Sequence, residues 1–209
     1  MNIRLISPNY NYKIIGKHIF LLPMTRVEIC EKYISWLNDS KINRYLEVRH
    51  SNESIETVPN YINALRNKSG CELFAIYMNK SQEFVGTLGI TDFDHYNKRL
   101  EYGLIIGEKK ARLIGVGTLA TILLYEYIFS FTDIEKIHNP VVEKNKSSWK
   151  LVESLGSKRE GILRKHFHSS TNDILDIYLY GILKEEWENQ KNTNPIICRN
   201  NSIKIEDSI

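Results

Sequence analysis

The run Arg112-Leu113-Ile114-Gly115-Val116-Gly117 restricts this chain more than any other feature. It follows a strand-like apolar segment, Leu100 to Ile106, and opens a long apolar helix read from Gly115 to Phe131. Two glycines one residue apart at a strand-to-helix junction let bare backbone approach a ligand closely. A helix N-terminus adds unpaired N–H groups and a partial positive charge, so the natural occupant is a phosphate. Lys109, Lys110 and Arg112 bring side-chain charge to the same end. The run reads as a pyrophosphate cradle. Its plain rival is a pair of glycines that only permits a tight helix entry.

At 209 residues the chain is long enough for one domain with a substantial core. An apolar content of 42% with 12 tyrosines argues against disorder. The net charge is only +3 and the cations are scattered among acids, which argues against a nucleic-acid partner. Three cysteines, Cys30, Cys71 and Cys198, form no metal-like spacing and suit a reducing cytoplasm. The segment Met1 to Ile15 is polar and lacks an unbroken apolar stretch, and nowhere do roughly 18 apolar residues run together as a membrane span requires. A cytoplasmic protein with no membrane partner is expected.

His18 to Leu22 reads as a short strand. Thr25-x-x-Glu28 is a capping-box pattern that predicts a helix with the stripe Val27, Cys30, Ile34 and Leu37, ended by Asn38-Asp39-Ser40. A second helix is expected from Thr57 to Asn67. Three strands joined by short connections follow, Glu72 to Met78, Phe84 to Phe93 and Arg99 to Gly107, hence antiparallel neighbours. After the cradle helix, a strand from Lys136 to Val142 completes a βαβ unit. A helix from Asn145 to Leu155 stops at Gly156, and strands from Ser157 to Arg164 and Asp173 to Leu183 close the domain with Lys184-Glu185-Glu186-Trp187. The organisation expected is a domain over residues 1–188 and a polar tail over 189–209, either a peripheral strand or disordered.

The cradle has a nucleotide-binding rival. Gly115-Val-Gly117-Thr-Leu-Ala120 fits the dinucleotide pattern G-x-G-x-x-A, with Glu143 placed to hold a ribose. Against it, Glu108 to Ile114 separates the strand from the first glycine, and antiparallel strands replace the further βα units that fold needs. The phosphate loop of nucleotide hydrolases is excluded because no Gly-Lys-Ser/Thr follows.

The order strand, two helices, three antiparallel strands, R-x-x-G-x-G, helix, strand, helix and two strands resembles the GNAT superfamily of N-acetyltransferases. Asn145-Lys-Ser-Ser148, followed by Leu151-Val-Glu-Ser-Leu-Gly156, is similar to that family's N-x-x-S/A…L-Y-E-K-L-G-F helix. The resemblance covers roughly residues 17 to 188 and implies a single mixed α/β domain, its central sheet mostly antiparallel, with a parallel βαβ splay that holds acetyl-CoA. It implies that backbone N–H groups of Ile114, Gly115, Val116, Gly117 and Thr118 bind the pyrophosphate. Main-chain groups of Leu104 and Ile106 would pair with the pantetheine amides, and Asn145 would bond the same arm. Arg112, and Lys109, Lys110, Lys146 or Lys150, would meet phosphates. No metal is implied. Two positions depart from the family: its frequent tyrosine acid is Val152 here, and the phenylalanine after the glycine is Ser157. Ser148 takes the tyrosine's place near the departing thiolate in the branch resembling ribosomal-protein Nα-acetyltransferases.

Direct attack of an amine on the thioester needs positioning, a proton acceptor and oxyanion donors. Glu101 is the expected base, acting through a water, with His95 in the adjoining turn as a rival. Cys71 has no activating neighbour in sequence for a nucleophile's role. His166-Phe-His168 offers two imidazoles but no third metal ligand, and is read as a loop near the acceptor. Tyr45, Arg49, Arg164 and His166 are the candidates to hold the acceptor, and arginine's bidentate fork suits an anion. Trp36-Leu-Asn-Asp39, Asn43 to Arg49 and Asp176 to Trp187 resemble the branch that acetylates nucleotide-linked amino sugars for surface glycans. That acceptor is the expectation, ahead of a protein N-terminus and of polyamines or drugs. A silent acetyl-CoA-binding module is the alternative of another class. Homodimers are common in this superfamily, although no residue here marks an interface.

Overall fold

The computed structural model describes residues 12–207, so residues 1–11 of the polar lead-in, with the expectation of no leader there, lie outside the described residues. The apolar runs form strands β1 (Tyr12–Ile15), β2 (Ile19–Pro23), β3 (Glu72–Met78), β4 (Phe84–Asp94), β5 (Arg99–Ile106), β6 (Lys136–Val142), β7 (Lys158–His168), β8 (Ile174–Leu183) and β9 (Lys204–Asp207). Helices α1 (Glu31–Asn38), α2 (Ser40–Asn43), α3 (Val58–Arg66), α4 (Lys109–Leu113), α5 (Val116–Phe131), α6 (Lys146–Ser154), α7 (Lys184–Thr193) and α8 (Pro195–Cys198) connect or cover them, with a 3-10 turn over Glu47–His50.

Among the described residues all nine strands join one sheet, ordered β7-β8-β6-β5-β4-β3-β2-β1-β9. Every pairing is antiparallel except β5 with β6. That parallel contact spans only Arg99, Leu100 and Glu101, opposite Lys136, Ile137 and His138. Beyond it the strands separate, and Asn139 Nδ2 reaches across to donate to Tyr102 O at 2.7 Å. Towards β4, by contrast, β5 stays paired up to Ile106. The splay expected from the βαβ unit is therefore present, and it leaves one main-chain edge of β5 open.

Helix α5 is apolar nearly all round and lies buried from Ala120 to Phe129, as a helix without a polar face must. Its one buried acid, Glu126, is satisfied from α7. Trp187 Nε1 donates to its Oε2 at 3.1 Å, and Lys191 Nζ lies 3.0 Å from Oε1. Trp187 is fully buried and meets the Tyr125 ring edge-on at 5.3 Å. Helix α7 therefore runs across the expected 188/189 division, and β9 goes on to pair with β1. A peripheral strand is one of the two expectations for the tail, whereas its polar composition hid the helix, whose anchors include Trp187 and Lys191 on Glu126.

One local expectation is corrected. Glu28 Oε2 does accept from Thr25 N and Oγ1, each at 2.7 Å, but the bonds close a turn, and helix α1 begins only at Glu31. Glu28 is drawn inward by Tyr77, whose hydroxyl donates to Oε1 at 2.7 Å. Val27, expected on the apolar stripe, is 81% exposed. The two family departures are interior features. Val152 packs with Val141 and Tyr180, while the buried Ser157 hydroxyl lies 3.5 Å from that of Tyr125.

Replacing Trp187 with alanine empties a fully buried site and removes a donor from Glu126. Trp187→Ala is expected to lower the unfolding free energy by about 3–5 kcal/mol in guanidinium titration. An unchanged midpoint would show that α7 lies outside the cooperative unit.

Candidate functional site

The glycine run builds its end of the site through backbone shape. Gly115 sits at φ +78°, in the left-handed region, with open space where a Cβ would point. It caps α5 without a side-chain hydrogen bond, so the N–H groups of Val116, Gly117 and Thr118 have no intrahelical partner. A Cβ on Gly117 would touch Leu151, Leu104 and Ile106 at 3.4, 3.5 and 3.7 Å, so any longer side chain would fill the space between α5, α6 and β5.

That space is a groove of about 530 Å³. Of the residues expected to hold the coenzyme, Leu104, Ile106, Arg112, Gly115, Gly117, Thr118, Asn145 and Ser148 line it. Ile114 and Val116 do not: Ile114 is 66% exposed and the Val116 side chain is buried in the core, which leaves them main-chain roles only. Arg112 is tied down, donating from Nη1 to the carbonyls of Ile106 and Gly107 at 2.6 and 2.8 Å. Asn145 caps α6 with its side-chain oxygen, Oδ1 accepting from Ser147 Oγ at 3.0 Å and Ser148 N at 3.4 Å. Lys150 lines the groove, whereas Lys109, Lys110 and Lys146 do not. Two cations escaped the sequence reading: Lys41 and Arg44 of the α2 segment face the groove from the opposite wall. Their proximity to Tyr45 was the available signal.

A second cavity, about 540 Å³, opens on the other side of β5. Tyr45, Leu46, Leu104 and Ile105 line both spaces, so they form the partition where the two meet. The second lining is aromatic and aliphatic, with Tyr33, Tyr61, Val58, Val142, Phe167 and Ile177, and carries three carboxylates, Glu47, Glu53 and Glu101. Lys, Arg and His do not contribute to it, just as Asp and Glu do not contribute to the first groove. Charge is thus divided between the two spaces.

Glu101 lines the second cavity only. A bulge in β4 between Ile90 and Asp92 turns Thr91 towards it, and Thr91 Oγ1 lies 3.4 Å from Glu101 Oε1. Burial raises the Glu101 carboxyl above the ordinary glutamate value, with Asp92 adding to the shift and Thr91 and Arg99 opposing it. A carboxylate raised in this way is a better proton acceptor near neutral pH. Its rival lies elsewhere: His95 Nε2 is 3.1 Å from Ser69 Oγ, its ring rests on Phe93 at 4.6 Å, and it lines neither cavity.

The basic acceptor rim expected from sequence is not assembled. Arg164 and His166 are exposed on β7, outside both linings. Arg49 also lies outside them, its side chain 4% exposed and bonded to backbone. Of the His166-Phe-His168 trio, the phenylalanine is the one that enters the cavity wall. Among the described residues, no three His, Cys, Asp or Glu side chains gather as a metal site would require.

Residues 18–158 match the family model described as an acetyltransferase (GNAT) domain. The chain is 24% identical over 163 residues to the uncharacterized N-acetyltransferase p20 of Bacillus licheniformis, covering 77% of this chain and 90% of that protein. Spermidine N-acetyltransferase from Vibrio cholerae, solved in complex with CoA and spermine, aligns with a TM-score of 0.72 at 18% identity, over 81% of this chain and 98% of that one. A GNAT-family acetyltransferase from Bacillus anthracis aligns with a TM-score of 0.70 at 20% identity, over 83% and 99%.

Two substitutions separate the halves of the site. Glu101→Gln is expected to lower turnover at least about tenfold with little change in acetyl-CoA affinity. Because the base works deprotonated, kcat/KM should rise with pH through the raised Glu101 titration, and the variant should lose that limb. A variant with the same limb would remove Glu101 from the role. Gly117→Arg is expected to abolish acetyl-CoA binding in calorimetry while circular dichroism shows the fold intact; normal binding by the folded variant would displace the cradle.

Proposed function

Because the chain belongs to the GNAT acetyltransferase family and is an acetyl-CoA-dependent N-acetyltransferase, we propose that its acceptor is a small primary amine that is cationic in solution, of the polyamine kind. The observation that carries this reading is the division of charge: Lys41, Arg44, Arg112 and Lys150 border one space, and Glu47, Glu53 and Glu101 border the other. An anion is favoured in the first and a cation in the second. The spermine complex of the Vibrio cholerae enzyme, a protein of the same fold, is consistent with this.

Acetyl-CoA supplies an acyl carbon already activated as a thioester. The chain's contribution is placement and proton transfer. First-turn N–H groups of α5 hold the pyrophosphate, helped by the cations of the groove. The open edge of β5 beyond Glu101 offers main-chain groups to the pantetheine amides and to the developing oxyanion. Aromatic walls from Tyr33, Tyr61 and Phe167 take up an alkyl chain. Glu53, held by Ser51 Oγ at 2.5 Å and Thr57 Oγ1 at 2.7 Å, is a fixed negative charge for a distal ammonium. Glu101 takes the proton from the attacking amine through a water, and Ser148 faces the thiolate side.

The nucleotide-linked amino sugar expected from sequence rested on the resemblance of three segments and on a basic rim of Arg49, Arg164 and His166, and none of those three side chains lines the cavity. A pyrophosphate beside three carboxylates would meet repulsion. Like-charge juxtaposition of this kind costs several kcal/mol, and about 1.4 kcal/mol is tenfold in an equilibrium.

The test is a set of steady-state measurements with acetyl-CoA and three acceptors: spermidine, a short peptide with a free N-terminus, and a nucleotide-linked amino sugar. Spermidine should exceed the others in kcat/KM by at least about tenfold. A preference for the sugar nucleotide would overturn the reading.

A further inference from the structure

We infer that Arg49 is a positioning residue that sets the acceptor site without touching the acceptor, by clamping the 3-10 turn onto the β7–β8 hairpin. The inference rests on the second cavity being the acceptor site.

Arg49 lies on the turn Glu47–His50, one residue from Val48 and two from Glu47, both of which belong to the cavity wall. Its Nε and Nη2 donate to His168 O at 3.1 and 2.8 Å, and Nη1 donates to Leu46 O at 2.7 Å. The guanidinium lies 3.8 Å from the centroid of the Phe167 ring. An arginine side chain only 4% exposed must have its donors met, and here two carbonyls 119 residues and three residues away meet them. Glu47, 3.3 Å from Nη1, is 88% exposed and adds little. The bonds that hold Arg49 are therefore to backbone and to a ring face.

The other side of the clamp is itself shaped to receive it. Strand β7 is exposed along most of its length, yet Phe167 is buried. The register between β7 and β8 slips between Leu163 and Phe167, and Lys165 takes φ +54° with its N–H donating to Asp176 Oδ1 at 2.8 Å. This bulge turns Phe167 inward to pack with Val142, Leu175, Tyr45 and Ile177. Tyr45 in turn donates to Lys144 O at 3.3 Å, so residues 45–50 are tied at one end to the loop before α6 and at the other to β7.

Those ties matter because Tyr45 and Leu46 form the partition between the two cavities. Their position sets the distance from amine to thioester, and misplacement by about 1 Å can cost about a hundredfold in rate. Lysine cannot substitute, since it lacks both the fork that spans Nε and Nη2 and the planar face for Phe167.

The experiment compares wild type, Arg49→Met, Arg49→Lys, Phe167→Leu and the double variant Arg49→Met with Phe167→Leu. Acceptor KM and kcat are measured with whichever amine of the three-acceptor set wild type uses best, and acetyl-CoA affinity is measured by calorimetry. Expected is a rise in acceptor KM of at least tenfold in Arg49→Met, with no recovery in Arg49→Lys and acetyl-CoA affinity within twofold of wild type. The double variant should fall short of the product of the two single effects, since the guanidinium–ring contact is shared while Phe167 also lines the cavity. Unchanged acceptor KM, or multiplicative effects in the double variant, would overturn the inference. If Arg49→Met does not fold, Arg49→Lys decides, a folded variant with wild-type acceptor KM being the overturning result. Failure of the polyamine reading would show in wild type, as a preference for another acceptor, and leaves this comparison readable.

Discussion

The site depends on a ladder that stops early. Strands β5 and β6 run parallel for three residue pairs, then part at Tyr102, where Asn139 inserts its amide and accounts for the carbonyl that the ladder abandons. From Gly103 to Ile106, β5 keeps its ladder only with β4, and of its second main-chain edge the Ile106 carbonyl is met by Arg112 Nη1. Unpaired backbone groups in a protein interior are unfavourable unless water or a ligand meets them. An edge of this kind is stable only as the wall of a cavity, and both cavities take Leu104 and Ile105 for their partition. The last residue of β5 paired to β6 is Glu101, so the carboxylate proposed as proton acceptor lies where that ladder ends.

Charge follows from the same geometry. The groove faces the start of α5, whose partial positive end is reinforced by cations of α2, α4 and α6, while the second cavity collects its acids from the 3-10 turn, the segment after it and β5. On the proposed reading each reactant is drawn to its own side, with Tyr45, Leu46, Leu104 and Ile105 between the two. A binding site organised in this way orients its reactants before any chemistry occurs, which is where much of the advantage of a two-substrate enzyme lies.

Elements with strong local signals were legible in the sequence. Strands Glu72–Met78 and Lys136–Val142 have the expected bounds, and Gly115, Gly156 and Asn145 occupy the turn and cap positions their chemistry suggests. Features decided by long-range contact were not. The pattern Thr25-x-x-Glu28 forms its hydrogen bonds, but Tyr77 on β3 claims the carboxylate and the helix starts later. Strand β1 reads as a polar lead-in because its partners, β2 and β9, lie on both sides of it in space and far apart in sequence. At the acceptor site the sequence pointed to charged and imidazole side chains, yet a bulge delivers Phe167 in place of its flanking histidines and spends Arg49 on backbone. Register slips of one residue reverse which side chains face inward, and periodicity cannot foresee them.

The missing tyrosine acid has the same interior explanation, and its loss is tolerable on energetic grounds. Position 152 faces Val141 and Tyr180, so a phenol there would need a different packing of α6 against β6 and β8. A proton donor to sulfur is asked for little, because an alkyl thiol titrates near about 8.5 and departs readily as thiolate close to neutral pH. A proton acceptor for the amine is asked for far more, since an alkylammonium titrates near about 10.4 and is almost wholly protonated there. The burden of acid–base work therefore falls on the acceptor side. The proposed acceptor side is the one on which this chain places a partly buried carboxylate, supports it with Thr91, and adds Glu47 and Glu53 to the same cavity wall.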